Sequence, residues 1–146
     1  MFSGRYDYSI DDKSRVSIPS KFREILSSNY DMRLVLTNLE TCIVAYPYRE
    51  WESVQQRISN NPSPSQEHRN FLRFFFSGVF ECPIDKLGRI LIPQSLKSYA
   101  GIRKDVTIAG MTSKIEIWAH EKFEEQMEKV MSNPLQMGQI ISDFGL

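Results

Sequence analysis

Two arginines have the surroundings that binding chemistry needs. Arg15 and Arg89 each follow an aspartate by four positions and precede a proline by four, in Asp11-Asp12-Lys13-Ser14-Arg15-Val16-Ser17-Ile18-Pro19 and Asp85-Lys86-Leu87-Gly88-Arg89-Ile90-Leu91-Ile92-Pro93. A guanidinium is a planar fork that donates two parallel hydrogen bonds, the geometry presented by a phosphate or by the O6 and N7 edge of guanine. An aspartate at the head of such a turn closes it through Asx-type hydrogen bonds and pairs with the arginine. That bracing is ordinary turn chemistry, and it also preorganises the arginine, so the structural and the binding roles are compatible. Lys13 and Lys86 add positive charge to the same turns.

Other chemistry finds no residues to carry it. His68 and His120 are far apart in sequence and do not have metal-site spacing with Cys42 or Cys82. The chain has no nucleophile-elbow pattern and no glycine-rich phosphate loop. The expectation is a binding protein rather than an enzyme, with no metal, cofactor or small-molecule substrate. Two cysteines do not make a disulfide framework, which points to a reducing, cytosolic setting. The N-terminal residues lack an apolar signal region, and no apolar run is long enough to span a bilayer, so no membrane role is expected.

Charge sharpens the picture. The formal net charge is +0, yet residues 1–23 hold five basic and three acidic side chains, and residues 81–105 hold five and three again. Residues 119–146 hold five acids against two bases. The positive excess therefore surrounds the two turns. One copy makes a weak electrostatic footprint, and several copies on an oligomer make a stronger one.

The turns must be positioned by the elements around them. Arg5 to Ile10 alternates, with Tyr6, Tyr8 and Ile10 on one face, and Arg15 to Ile18 alternates again. Together they read as a hairpin, or as two strands joined by a short charged loop. Pro19 suits the first turn of a helix carrying Phe22, Ile25 and Leu26. Arg33–Thr37 and Cys42–Tyr46 form a second hairpin, and Pro47 opens a helix with Trp51, Val54 and Ile58 along it. Ser59 to Ser65, with two prolines, is a linker. Gln66 to Phe76 reads as an aromatic-rich helix, and Phe71, Phe74, Phe75 and Phe76 suit a core or a subunit interface better than a base-stacking platform.

The order then recurs. Val79–Ile84 is a strand, and the second charged turn leads to a helix with Leu96, Tyr99 and Ala100 on one side. Val106–Ala109 and Ile115–Trp118 form a hairpin, and Phe123, Met127 and Val130 mark a closing helix. The offset is 74 residues at the turns and 72 at Trp51 and Phe123, which predicts a loop two residues longer in the first copy. Each half offers roughly 50 residues, too few for a good core of its own. The halves must pack together, with the turns related by a pseudo-twofold axis on one surface.

The paired motifs, together with Arg73-Phe74-Phe75-Phe76-Ser77-Gly78, Glu81-Cys82 and Ile115-Glu116-Ile117-Trp118, resemble the MraZ family of bacterial regulators, built from two SpoVT-AbrB-type modules. The resemblance runs from Met1 to about Phe123. It implies an α+β, mainly β fold: a duplicated, swapped-hairpin β-barrel with short peripheral helices and a pseudo-twofold internal repeat. Module 1 is expected over 5–52, a linker and Phe-rich helix over 59–78, module 2 over 79–123, and a C-terminal helix and tail over 124–146. It also implies a ring-shaped homo-oligomer in the cytoplasm, associated with the nucleoid. That ring would bind double-stranded promoter DNA and control the division and cell-wall gene cluster. Arg15 and Arg89 become the central DNA contacts, Lys13 and Lys86 phosphate contacts, and Asp11, Asp85 and Gly88 the residues that brace the loops. An AbrB-like antitoxin, with residues 131–146 as a toxin-binding tail, is the alternative. One departure stands out: the family's first loop usually has Gly before the Arg, and this chain has Ser14. If the position needs φ > 0, serine costs on the order of 1 kcal/mol relative to glycine.

Overall fold

Each half of this sequence has more strand edges than it can pair by itself, and the fold resolves this by exchange. The computed structural model describes residues 1–146. In chain order the elements are β1 (Arg5–Ser9), β2 (Arg15–Ser17), α1 (Ser20–Asn29), β3 (Arg33–Leu39), β4 (Cys42–Pro47), α2 (Tyr48–Ser59) and α3 (Gln66–Ser77). There follow β5 (Phe80–Pro83), β6 (Arg89–Leu91), α4 (Gln94–Ala100), β7 (Asp105–Met111), β8 (Lys114–Ala119), α5 (His120–Met131) and α6 (Pro134–Phe144).

The hairpins β3–β4 and β7–β8 stay within their own halves. The other pairings cross between halves, all antiparallel. β1 adds to β7 from Arg5↔Ala109 to Ser9↔Asp105, and β5 adds to β3 from Arg33↔Pro83 to Leu36↔Phe80. β4 meets β8 at Val44↔Glu116, which joins the two hairpins into one six-stranded sheet of order β1-β7-β8-β4-β3-β5. The order is the same read from either end once the halves are exchanged. β2 and β6 form a separate two-stranded ribbon. The duplicated, swapped, mainly β α+β architecture is as expected, with the sheet ladder left open at β1 and β5.

One local reading is decided by this exchange. Arg5 to Ile18 is two strands joined by a charged loop rather than a hairpin, because β2 leaves β1 and pairs with β6. The reason is burial. Val16 and Ile90 lie opposite each other in the ribbon and are both 1% exposed. They and their neighbours Ile18 and Ile92 close the larger core against Leu34, Leu36, Ile43, Ile108, Ile115 and Ile117 of the sheet. A second, smaller core lies on the other side of the sheet. There Trp51 of α2, Phe75 of α3 and Phe123 of α5 cover Val35, Val44 and Trp118. β4 reads as a continuous apolar run because both of its faces are buried.

The helices follow their apolar spacing. Phe22 and Leu26 bury one face of α1, and Leu96 and Ala100 bury that of α4. Pro19, Pro47 and Pro93 each sit one residue before their helix, as the cap with extended ψ, rather than in its first turn. The two extra residues of the first half are not a longer loop. α1 has 10 residues against 7 in α4, and the connector after α1 (30–32) is shorter than that after α4 (101–104). On α3 only Phe75 is fully buried, while Phe71 and Phe76 are exposed. The C-terminal segment is a helix, α6, with no buried residue. No helix is long and apolar enough to cross a membrane.

Ile90 is fully buried in the larger core, on the inner face of the ribbon. Ile90→Ala should lower the unfolding free energy by about 2–5 kcal/mol in urea denaturation, the usual cost of truncating a buried isoleucine to alanine.

Candidate nucleic-acid interface

Three residues separate Asp11 from Arg15, and three separate Asp85 from Arg89. Such a connection closes most readily as a type I turn followed by one left-handed residue. Both loops do this. The Ser14 N–H donates to the Asp11 carbonyl at 3.0 Å, and the Asp11 N–H to the Arg15 carbonyl at 2.9 Å. The second loop repeats the bonds from Gly88 to Asp85 at 3.0 Å and from Asp85 to Arg89 at 2.8 Å. Ser14 has φ 61 and Gly88 has φ 80. Ser14 therefore adopts the left-handed conformation, and the first loop holds the strain that the sequence raised.

Each aspartate braces its own loop completely. Asp11 Oδ1 accepts from the backbone N–H groups of Lys13 (2.9 Å) and Arg15 (2.8 Å), while Oδ2 accepts from Arg15 Nε at 2.8 Å. Asp85 does the same with Leu87 (2.9 Å), Arg89 (2.9 Å) and Arg89 Nε (3.1 Å). These bonds favour the charged carboxylate, so both carboxyls lie below their ordinary value. The backbone N–H of Arg15 or Arg89 is the largest cause, and desolvation opposes it. The side chains of Arg15 and Arg89 are 31% and 25% exposed, held rather than waving. Each uses its Nε for the brace, and no terminal Nη group of either arginine donates a hydrogen bond within the protein.

The loops are joined as well as repeated. The Ile92 N–H donates to the Ser14 carbonyl at 2.8 Å, and the Ile18 N–H to the Gly88 carbonyl at 2.8 Å. Arg89 Nη1 lies 3.9 Å from Asp11 Oδ2, an ion pair from one loop to the other. All of the residues expected at the site, Asp11, Lys13, Arg15, Asp85, Lys86, Gly88 and Arg89, are thus in or beside one ribbon. Lys13 and Lys86 are exposed and occupy different places in their loops. Where the second loop has Lys86, the first has Asp12, so the second is the more positive.

Two further cations belong here, Arg23 of α1 and Lys97 of α4, at equivalent positions of the two halves. Each reaches the loop of the opposite half. Lys97 Nζ donates to Ser14 Oγ at 3.1 Å. Arg23 Nε donates to the Ile18 carbonyl at 3.1 Å and lies over Gly88, where a Cβ would come within 2.7 Å of it. Gly88 is favoured by its φ, and a side chain there would also have to displace the Arg23 guanidinium. Ser14 instead has a partner for its hydroxyl. The signal for both cations was in the sequence, in the 74-residue offset that relates them, but only the crossed packing gives it meaning.

The remaining titratable candidates lie elsewhere. His68 Nδ1 meets Ser65 Oγ at the start of α3, and His120 Nδ1 lies 2.9 Å from Thr107 Oγ1 at the start of α5. Cys42 and Cys82 are free and buried. Burial pushes the Cys82 thiol up to about 11 and the Cys42 thiol higher still, so both are neutral core side chains.

Comparison with known proteins agrees with the repeat. The model of the MraZ protein family, which its description calls antitoxin-like, matches residues 1–74 and again 75–139. A protein of Pelotomaculum thermopropionicum is 42% identical over 100% of this chain and 99% of its own length. One of Clostridium tetani is 44% identical over 86% of each chain, and one of Pediococcus pentosaceus is 38% identical over the full length of both. All three are named transcriptional regulator MraZ.

The geometry makes the two loops unequal in their tolerance. Gly88→Ser should destabilise by about 1–3 kcal/mol in urea denaturation, from φ strain and the Arg23 contact. Ser14→Gly should stay within about 1 kcal/mol, because relief of strain offsets the lost Lys97 bond. The acid response follows from the braces. With folded-state pKa values below the unfolded ones, the unfolded chain binds more protons between them, and stability rises with pH there. The contribution is fully present above the unfolded carboxylate value of about 4 and is lost as pH falls through the lowered folded values. Thermal melts should show a decline below about pH 4 that shrinks in the double variant Asp11→Asn, Asp85→Asn.

Proposed function

The chain belongs to the MraZ family, and from that premise we propose that it is a sequence-specific, DNA-binding transcriptional regulator of the division and cell-wall gene cluster, its own promoter included. The observation that carries this reading is the pair of braced arginines on one ribbon, each with its Nη groups left for a ligand. Arg15 and Arg89 take base edges, and Lys13 and Lys86 take flanking phosphates. Asp11, Asp85 and Gly88 hold the loops in shape. The names of the relatives support the same role.

A single subunit offers few contacts on a chain of zero formal charge, so affinity comes from repetition. A homo-oligomeric ring presents one ribbon per subunit, and linked weak sites gain avidity only on DNA that offers boxes at matching spacing. The exposed apolar residues Phe71 and Phe76 of α3, and Ile140, Ile141 and Phe144 of α6, support self-assembly. Cytoplasmic, nucleoid-associated placement goes with this role. The antitoxin reading rests on the same α6, whose unburied apolar residues would then meet a toxin. Copurification of a small partner protein lost on truncation at Met131 would favour it.

Arg15→Ala and Arg89→Ala should each weaken binding to a promoter fragment by about tenfold, the low end of what a bidentate base contact contributes. The native mass should stay unchanged. Wild-type affinity of the double variant in a gel-shift titration would reject the assignment.

A further inference from the structure

The ribbon that carries the arginines has an outer face of four side chains. Val16 and Ile90 point inward, so their neighbours along each strand point outward. Arg15 lies opposite Leu91, and Ser17 lies opposite Arg89. The two arginines are exchanged by the pseudo-twofold. Leu91 and Ser17 are the one mismatch on this outer face. Leu91 is 59% exposed, and it lines a groove of about 390 Å³ together with Arg15, Arg89, Phe80, Pro83 and Pro93.

A lone exposed leucine is ordinary. One opposite Arg15 and two residues along the strand from Arg89 is not. An apolar protein surface covering Leu91 would also cover the terminal Nη groups of Arg15 and Arg89, which make no hydrogen bond within the protein, and would leave them without acceptors at a cost. DNA offers those charges acceptors. A two-stranded ribbon fits the major groove of B-DNA, where guanine presents O6 and N7 to an arginine fork and thymine presents a methyl group to an apolar side chain.

We infer that Leu91 is a specificity-determining residue that reads a thymine methyl beside the base taken by Arg15. This inference rests on the DNA-binding role proposed above.

The test uses the full-length protein and a fragment of its own promoter, with each thymine replaced in turn by deoxyuridine, which lacks only the methyl. Wild type should bind about fourfold more weakly at one position per box, the worth of one buried methyl. Leu91→Ser should bind the thymine and deoxyuridine fragments equally, with the native mass and salt dependence of wild type. Leu91→Asn, whose side chain carries no methyl, should give the same loss of discrimination. The inference is overturned if no deoxyuridine fragment weakens wild-type binding, if both variants keep the discrimination, or if Leu91→Ser breaks the oligomer apart. Failure of the underlying role reads differently: wild type would then show no preference for the promoter, or binding would survive the loss of both arginines.

Discussion

The structure depends on two backbone hydrogen bonds that cross its internal symmetry axis, Ile92 N–H to the Ser14 carbonyl and Ile18 N–H to the Gly88 carbonyl. Each takes the carbonyl of a left-handed loop residue and ties it to the strand end of the other half. Between them lies the buried pair Val16 and Ile90. Remove this crossing and β2 and β6 lose their ladder, the larger core loses its lid, and the loops lose their fixed relation to each other. Two strands of three residues would be negligible alone. Anchored to a shared core, they set the distance and orientation of both arginines.

Duplication provides two loops, but the chain has not kept them identical. The left-handed position is glycine in one and serine in the other, and each is matched to the cation that crosses over from the opposite helix. Gly88 makes room for Arg23. Ser14 supplies a hydroxyl to Lys97, and that bond offsets part of the conformational cost. The substitution and its compensation lie 83 residues apart in sequence, which is why the pairing is invisible until the halves are packed. Asp12 against Lys86 and Ser17 against Leu91 extend the inequality to charge and to the outer face.

The aspartates solve a separate problem. A flexible arginine would lose side-chain entropy on binding any ligand. Here Asp11 and Asp85 have already ordered the loop backbone and the Nε of each arginine, so the Nη groups meet a ligand with little left to fix. Because these carboxyls hold their charge well into acid, the brace is constant across the neutral range.

Much of this was legible from residue order alone. Duplication, the charged turns, the Asp–Arg pairing and the apolar faces of most helices follow from local spacing, since turn chemistry and helix periodicity act over a few residues. The strain at Ser14 was legible as a question. What tertiary structure decided is which edge each strand takes. Arg5 to Ile18 has the pattern of a hairpin, yet β1 goes to β7 and β2 to β6, because only that exchange buries Val16 and Ile90 in one core while leaving Arg15 and Arg89 on the same outer face. The same packing buried Phe75 and left Phe71 and Phe76 exposed. It also assigned roles to Arg23 and Lys97, which no local pattern distinguishes from surface cations. Strand pairing across 74 residues depends on what the whole chain can bury, and local sequence holds no record of that.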